Sequence, residues 1–158
     1  MRKLTVLLIC LFSINLYSTN ECLEGLSEDE KFTFETWTSE IQDFAKKDST
    51  FKSVNIEIEK EYVDFVIVIY NYDEIIANME RDGIIINGVF NEDAMNMLRI
   101  ELINGNMPAK DLKIFKLIHK MNKEIKAVIK SDISDKKIEF VLLRHEDLKA
   151  IIDNSNKK

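Results

Sequence analysis

The stretch YVDFVIVIYNY, residues 62–72, constrains the fold more than any other part of the chain. From Phe65 to Tyr70 it is apolar at both odd and even positions, so a strand of these residues has to be covered on both faces. Strands of this kind usually lie in the middle of a sheet. We therefore predict a central strand here, with another strand on each side.

Residue spacing predicts the elements that flank this strand. SVNIEIE, residues 53–59, alternates apolar and polar positions and predicts a strand with one wet face, and IEFVLLR, residues 138–144, predicts a third strand. Ser27 and Glu30 form a capping box that begins a helix ending near Lys47. The apolar face of that helix is predicted to be Phe34, Trp37, Ile41 and Phe44.

Two shorter helices are predicted after the central strand. Asp73 caps the first, which ends at Gly83, a residue suited to a left-handed position after a helix. GIIINGVF, residues 83–90, is predicted as a short extended piece. Asn91 caps the second helix, which stops at Gly105.

The longest predicted helix runs from about Pro108 to Lys130, since its apolar residues recur every three or four positions. The connection from Ile103 to Pro108 is short, so this helix and the preceding one are expected to form an antiparallel pair. HEDLKAIID, residues 145–153, predicts a closing helix.

The resulting order, α-β-β-α-α-α-β-α, lacks the strand and helix alternation of parallel α/β folds. It predicts a single α+β domain with a small antiparallel sheet of about three strands and helices packed on it.

The first residues are arranged like a secretory signal peptide. Arg2 and Lys3 precede an apolar run from Leu4 to Phe12, and polar residues follow. A membrane-spanning helix needs about 20 apolar residues, and this segment is too short. We predict that residues 1–18 are removed, that 19–158 form the domain with a polar tail at 153–158, and that the protein is secreted or periplasmic without a stable membrane anchor.

The two cysteines are expected to have different fates. Cys10 leaves with the signal peptide, and Cys22 remains unpaired, so no disulfide is predicted. Neither cysteine follows the small residue at the end of the apolar run that a bacterial lipoprotein needs.

The charge of the chain is acidic. The net charge is −6, and removal of the two basic residues Arg2 and Lys3 makes it −8. Nucleic-acid binding draws on clustered Lys and Arg, so no nucleic-acid partner is predicted. An acidic protein is suited to a basic protein partner or a small ligand of complementary charge.

His145 and Asp64 are the candidate catalytic residues. His145 follows the third predicted strand, where a histidine beside Asp64 or Glu146 could serve as acid or base. A capping or exposed histidine is the simpler interpretation, because no nucleophile is identifiable beside it. Asp64 interrupts an apolar strand and is otherwise expected near a hairpin end.

Tyr62, Tyr70 and Trp37 are the candidate binding residues. Tyr62, Asp64, Tyr70 and Tyr72 share one face of the predicted strand by parity, and a tyrosine-bearing face can bind a partner. Trp37 lies at helical spacing with Phe34, which is more often an arrangement of core residues.

The sequence contains no recognisable catalytic or phosphate-binding motif and no metal-ligand spacing, so no cofactor and no metal are predicted. The leading hypothesis is an exported, non-catalytic binding module. One alternative is a small exported hydrolase that uses His145 with a carboxylate. Another is an assembly subunit whose FVIVIY strand forms an interface.

Overall fold

The computed structural model describes residues 15–16, 23 and 25–156. Both cysteines and most of the predicted signal peptide lie outside these residues. Within them the fold is α+β, as predicted. The helices are α1 (Glu28–Ala45), α2 (Tyr72–Arg81), α3 (Glu92–Asn104), α4 (Ala109–Lys120) and α5 (His145–Ser155). The strands are β1 (Asn15–Leu16), β2 (Phe51–Ile58), β3 (Tyr62–Ile69), β4 (Ile85–Ile86), β5 (Val89–Phe90), β6 (Glu124–Ser131) and β7 (Lys137–Leu143).

The main sheet is mixed and has the order β1-β2-β3-β6-β7. β3 pairs antiparallel with β2 and parallel with β6, and β7 returns antiparallel to β6. The strand at residues 62–69 is therefore central, as predicted. The prediction of a purely antiparallel sheet of about three strands is wrong, because residues 124–131, most of them in the predicted long helix, form β6, which pairs parallel with β3.

The boundary between α4 and β6 is the largest difference from the predicted elements. The helix that begins after Pro108 ends at Lys120, and the chain turns at Asn122, which has a φ of 55°. Residues Glu124–Ser131 then form a strand rather than the end of a helix reaching Lys130. Asparagine tolerates the left-handed conformation better than most residues, so Asn122 marks the break.

The helix ends follow the predicted capping residues in most cases. Ser27 and Glu30 form the capping box of α1, and the side chain of Asn91 accepts a hydrogen bond from the backbone N–H of Asp93 at 3.1 Å. Gly83, just after α2, has a φ of 72°. The cap of α2 differs from the prediction, because Asn71 precedes the helix and Asp73 lies in its first turn.

The connections and the closing helix also differ in detail. α3 and α4 pack mainly on α5 rather than on each other, so the predicted antiparallel pair does not form. α5 continues to Ser155, into the predicted polar tail.

The segment GIIINGVF folds into a second, two-stranded sheet of β4 and β5. Asn87 and Gly88 make its turn with φ values of 54° and 77°, the positive pair that a type I′ hairpin turn requires.

The two faces of the main sheet differ. On the odd face, Val63, Phe65, Ile67 and Ile69 of β3 belong to one buried cluster together with residues of all five described helices. On the even face, Val66 and its parallel partner Val128 are 3% and 4% exposed but lie outside that cluster. The described helices therefore pack on the odd face.

The core extends along α1 with one correction. Phe34, Trp37 and Ile41 are buried as predicted, but Phe44 is 47% exposed and Ala45 is buried in its place. All described members of the core cluster lie between Leu23 and Ile151, outside the predicted signal peptide.

Candidate functional site

A cleft with a volume of about 450 Å³ lies where the parallel strands β3 and β6 end. We call it the terminal cleft. Crevices at the carboxyl ends of parallel strands are common binding sites, and this volume is within the roughly 300–1,000 Å³ typical of ligand sites. Its lining residues come from the end of β3, the first turn of α2 and the β6–β7 loop: Tyr70, Asn71, Tyr72, Asp73, Glu74, Ser131, Asp132, Ile133, Ser134 and Lys136.

Backbone hydrogen bonds fix the two walls of the terminal cleft. The N–H of Tyr70 donates to the carbonyl of Thr50 at 3.0 Å, which ties the end of β3 to the start of β2. The N–H of Ser131 donates to the carbonyl of Lys136 at 3.0 Å and closes the β6–β7 loop. This leaves Ile133 at the loop tip, where its side chain is 89% exposed.

An ion pair bridges the two walls. Lys136 Nζ lies 2.9 Å and 3.1 Å from the two carboxylate oxygens of Asp73, so the loop is held against the first turn of α2. Glu74 and Asp132 are two further carboxylates in the lining. Three acidic side chains and one basic side chain thus give the terminal cleft a negative balance.

The aromatic residues of the cleft differ in accessibility. Tyr70, one of the candidate binding residues, is 42% exposed. Tyr72 is the first residue of α2, and its side chain is buried as part of the core cluster. The prediction that Tyr72 shares the strand face of Tyr62 is therefore wrong, since β3 ends at Ile69. Burial raises the pKa of the Tyr72 hydroxyl above 10.0, and the neighbouring charge of Asp73 adds to this shift.

Exposed aromatic and aliphatic side chains among carboxylates suit a cationic group. A cation can lie over an aromatic face and be attracted by nearby negative charges at the same time. The terminal cleft offers both kinds of contact, and Ile133 adds apolar surface at its rim.

Comparisons with protein-family models, with curated proteins and with solved structures find no match. The geometry of the described residues therefore supplies the structural argument for function.

Asp64 and Tyr62 lie on the even face, away from the terminal cleft lining. Asp64 is 7% exposed, and its Oδ2 pairs with Lys126 Nζ at 2.9 Å. The same Nζ lies 5.1 Å from the ring centroid of Tyr62, in the range of a cation–π contact. The other carboxylate oxygen of Asp64 is buried and has no hydrogen-bond partner among the described residues.

The pKa shifts of this pair reflect unequal burial. Burial raises the pKa of Asp64 above its ordinary 3.8, and Lys126 offsets this only in part. Burial acts to lower the pKa of Lys126, but the hydrogen bond and charge of Asp64 outweigh it, so that pKa lies above 10.5. Burial therefore sets the direction at Asp64, whose side chain is 9% exposed, whereas the ion pair sets it at Lys126, whose side chain is 21% exposed.

His145 is the first residue of α5, and its side chain is 41% exposed. Its Nε2 lies 4.0 Å from Glu124 Oε1, which is too long for a hydrogen bond. Its buried Nδ1 has no hydrogen-bond partner among the described residues. The carboxylate of Asp64 instead pairs with Lys126. The hydrolase hypothesis thus gains no supporting geometry.

Trp37 is a core residue. It is 2% exposed, lies against Phe34 and Phe65, and donates a hydrogen bond from Nε1 to Asp111 Oδ1 at 3.1 Å. This contact joins α1 to α4, so we assign Trp37 to packing.

Sequence reasoning missed the acidic members of the terminal cleft and two buried cations. By composition SDISDKK, residues 131–137, is typical of a polar loop, although it also places the hydrophobic Ile133 between two aspartates. Arg99 is 4% exposed and donates to the carbonyls of Leu142 and Val141 where β7 shifts register. Lys123 is 8% exposed and donates to two carbonyls of the β2–β3 turn. The spacing of apolar residues along the sequence does not predict hydrogen bonds of this kind.

Among the described residues, no helix has the length and apolar character needed to cross a membrane. No group of acidic, histidine or cysteine side chains in the described ranges has the arrangement of a metal site.

Proposed function

We propose that this chain is an exported, non-catalytic binding module whose terminal cleft receives a basic segment of a partner protein. The observation that carries this proposal is the combination of Asp73, Glu74 and Asp132 with only Lys136 among the charged lining residues. Tyr70 and Ile133 supply exposed apolar contact beside these charges. A lysine or arginine side chain with an apolar neighbour matches that chemistry.

The net charge of the whole chain supports the same partner class. The chain carries −6, and the loss of residues 1–18 makes it −8. A negative field draws a basic partner toward the surface and raises the rate of encounter, and salt screens this effect.

The binding proposal is tested with a labelled peptide rich in lysine and arginine that contains one leucine. We expect saturable binding at low salt that is lost at about 0.5 M salt, where screening is strong. The double variant Glu74→Gln with Asp132→Asn should bind about fivefold more weakly, because two favourable charges are removed.

The matched control removes two exposed acids elsewhere, Glu80→Gln with Glu101→Gln. Its net charge equals that of the cleft variant, so a general charge effect would weaken both proteins equally. Equal weakening contradicts binding in the terminal cleft, and so does unchanged binding by the cleft variant.

Export is tested separately. The full chain with a C-terminal tag is expressed in a bacterial host, and the tagged protein is isolated from the periplasm or medium. N-terminal sequencing is expected to begin near Thr19. Retention of Met1 in a cytoplasmic product contradicts export but leaves the binding proposal open to its own test.

A further inference from the structure

Lys136 is the one basic side chain in the described lining of the terminal cleft. Its Nζ lies 2.9 Å from Oδ1 and 3.1 Å from Oδ2 of Asp73, so both oxygens of that carboxylate have the same cationic partner. The structure therefore shows which kind of group Asp73 accepts at the cleft. That group is a positively charged nitrogen that donates hydrogen bonds to both oxygens.

The ion pair between Lys136 and Asp73 is exposed to solvent. The side chain of Lys136 is 59% exposed and that of Asp73 is 76% exposed. Ion pairs of this kind are held weakly, because water competes for both charges and a long side chain has to be ordered. Lys136 can therefore leave Asp73 at little cost when a better partner for the carboxylate arrives.

The loop that carries Lys136 is closed by hydrogen bonds of its own. The N–H of Ser131 donates to the carbonyl of Lys136 at 3.0 Å. The N–H of Ile133 donates to Ser131 Oγ at 3.3 Å, and the N–H of Lys136 donates to Ser134 Oγ at 3.4 Å. The Lys136 side chain can thus rotate away from Asp73 while these backbone contacts stay in place.

An arginine side chain suits the Asp73 carboxylate better than Lys136 does. A guanidinium group is planar and donates two parallel hydrogen bonds to the two oxygens of a carboxylate, whereas an ammonium group acts as a point charge. A guanidinium group also stacks on aromatic rings, and the exposed Tyr70 lines the same cleft. A lysine from a partner would only exchange one ammonium group for another.

We propose that Lys136 is an internal competitor that occupies Asp73 in the free protein, and that an arginine of the basic partner segment displaces it. The competitor lowers the affinity of the terminal cleft for all basic segments, so the additional hydrogen bond of arginine decides which segments bind. This inference rests on the proposed function. It adds to it the partner side chain that enters the cleft and the contact that regulates its entry.

The variant Lys136→Gln removes the competitor. Two labelled peptides of equal length and charge, each with one leucine, are titrated into the full chain at low salt and followed by fluorescence anisotropy. One peptide carries only arginine as its cationic residue, and the other carries only lysine. We expect the unchanged protein to bind the arginine peptide about fivefold more tightly than the lysine peptide. Lys136→Gln should bind each peptide about three- to fivefold more tightly than the unchanged protein does.

Lys149→Gln is the matched control. Lys149 on α5 pairs with Asp153 at 2.7 Å, and these side chains are 67% and 50% exposed. This variant therefore also removes the cation of an exposed ion pair, and it changes the net charge by the same amount as Lys136→Gln. Its affinity for both peptides should stay within about twofold of that of the unchanged protein, because its charge lies outside the cleft lining.

The variant Asp73→Asn locates the competition. Without this carboxylate an arginine loses its two charge-assisted hydrogen bonds, and Lys136 no longer withholds a binding partner. The preference for the arginine peptide should fall to about twofold or less. Adding Lys136→Gln to Asp73→Asn should raise the affinity by less than about twofold, well below the gain that the same change gives in the unchanged protein.

The outcomes separate this inference from the proposed function. If neither peptide binds to the unchanged protein or to Lys136→Gln, both are wrong. If the unchanged protein binds but Lys136→Gln and Lys149→Gln have equal affinities, the internal competitor is wrong and the proposed function stands. A gain from Lys136→Gln that persists in full with Asp73→Asn, or weaker binding by Lys136→Gln, would also overturn the internal competitor.

Discussion

Lys126 partners a carboxylate that the sheet has largely removed from water. Asp64 is more buried than Lys126, and one of its carboxylate oxygens has no partner among the described residues. Removing one member of a buried pair leaves an uncompensated charge, which usually costs more than the pair itself contributes. The apolar pattern of β3 does not predict this ion pair, since a single aspartate in a strand is equally compatible with a wet hairpin end.

We predict that Lys126→Met lowers the free energy of unfolding at pH 7 by about 1–3 kcal/mol. Because the pKa of Asp64 is raised in the folded state, the native protein holds this proton more tightly than the unfolded chain. The stability contributed by this group therefore falls as pH rises from the ordinary value of 3.8 through the raised value. Without Lys126 that pKa rises further, so the deficit should shrink toward pH 4.

Urea unfolding at pH 7 and pH 4 measures this effect. Lys130→Met is the matched control, because Lys130 lies on the same strand and the same face. A deficit of equal size in both variants, or one that does not change with pH, would show that lost side-chain packing rather than the ion pair is responsible.

At the level of elements, the sequence pattern predicts most helix beginnings and strand centres. It predicts the boundary between α4 and β6 wrongly. Ile125, Ala127 and Ile129 alternate onto the core face of β6, yet Ile125 and Val128 also continue the helical spacing of α4. Periodicity cannot decide between the two patterns over so few residues. Long-range pairing with β3 decides it, and that information is absent from the local sequence.

The sequence of the β4–β5 hairpin contains a recognisable turn signal. Asn87 and Gly88 form the Asn-Gly pair typical of a type I′ turn. The hairpin also matters for packing, because the ring centroid of Phe90 lies 4.1 Å from that of Phe140 on β7.

We predict that Gly88→Ala lowers the free energy of unfolding by about 1 kcal/mol, because alanine is strained at a φ of 77°. A Cβ at this position meets no atom within 4 Å, so steric contact contributes nothing. Gly88→Asn is the control and should cost less, since asparagine tolerates left-handed backbone. Thermal unfolding followed by circular dichroism compares the three proteins, and equal losses for alanine and asparagine would contradict the backbone explanation.

For the molecule as a whole, the described core is contained between Leu23 and Ile151. A single folded domain was predictable, because a chain of this length can bury a sufficient core without disulfides or metals. The fold class was predictable as well. The terminal cleft was not predictable, because it depends on β3 and β6 ending side by side.

We predict that the chain beginning at Thr19 unfolds in a single cooperative transition, with a free energy of unfolding within about 1–2 kcal/mol of the full chain. Only the pairing of β1 with β2 is removed from the described sheet. Urea unfolding monitored by near- and far-ultraviolet circular dichroism tests this. Loss of the near-ultraviolet signal with retained helical signal would instead show that residues 1–18 are needed for specific packing.

The parallel pairing of β3 and β6 has a consequence for synthesis. Residues 70–123 separate the two strands, so the ribosome completes β3 long before its second neighbour exists. During that interval one backbone edge of the most apolar strand has no partner, and the nascent chain cannot close its sheet. For the proposed export through a translocation channel, this delay would be useful. The strand order of the main sheet is reached only after Leu143, the last residue of β7, has been added.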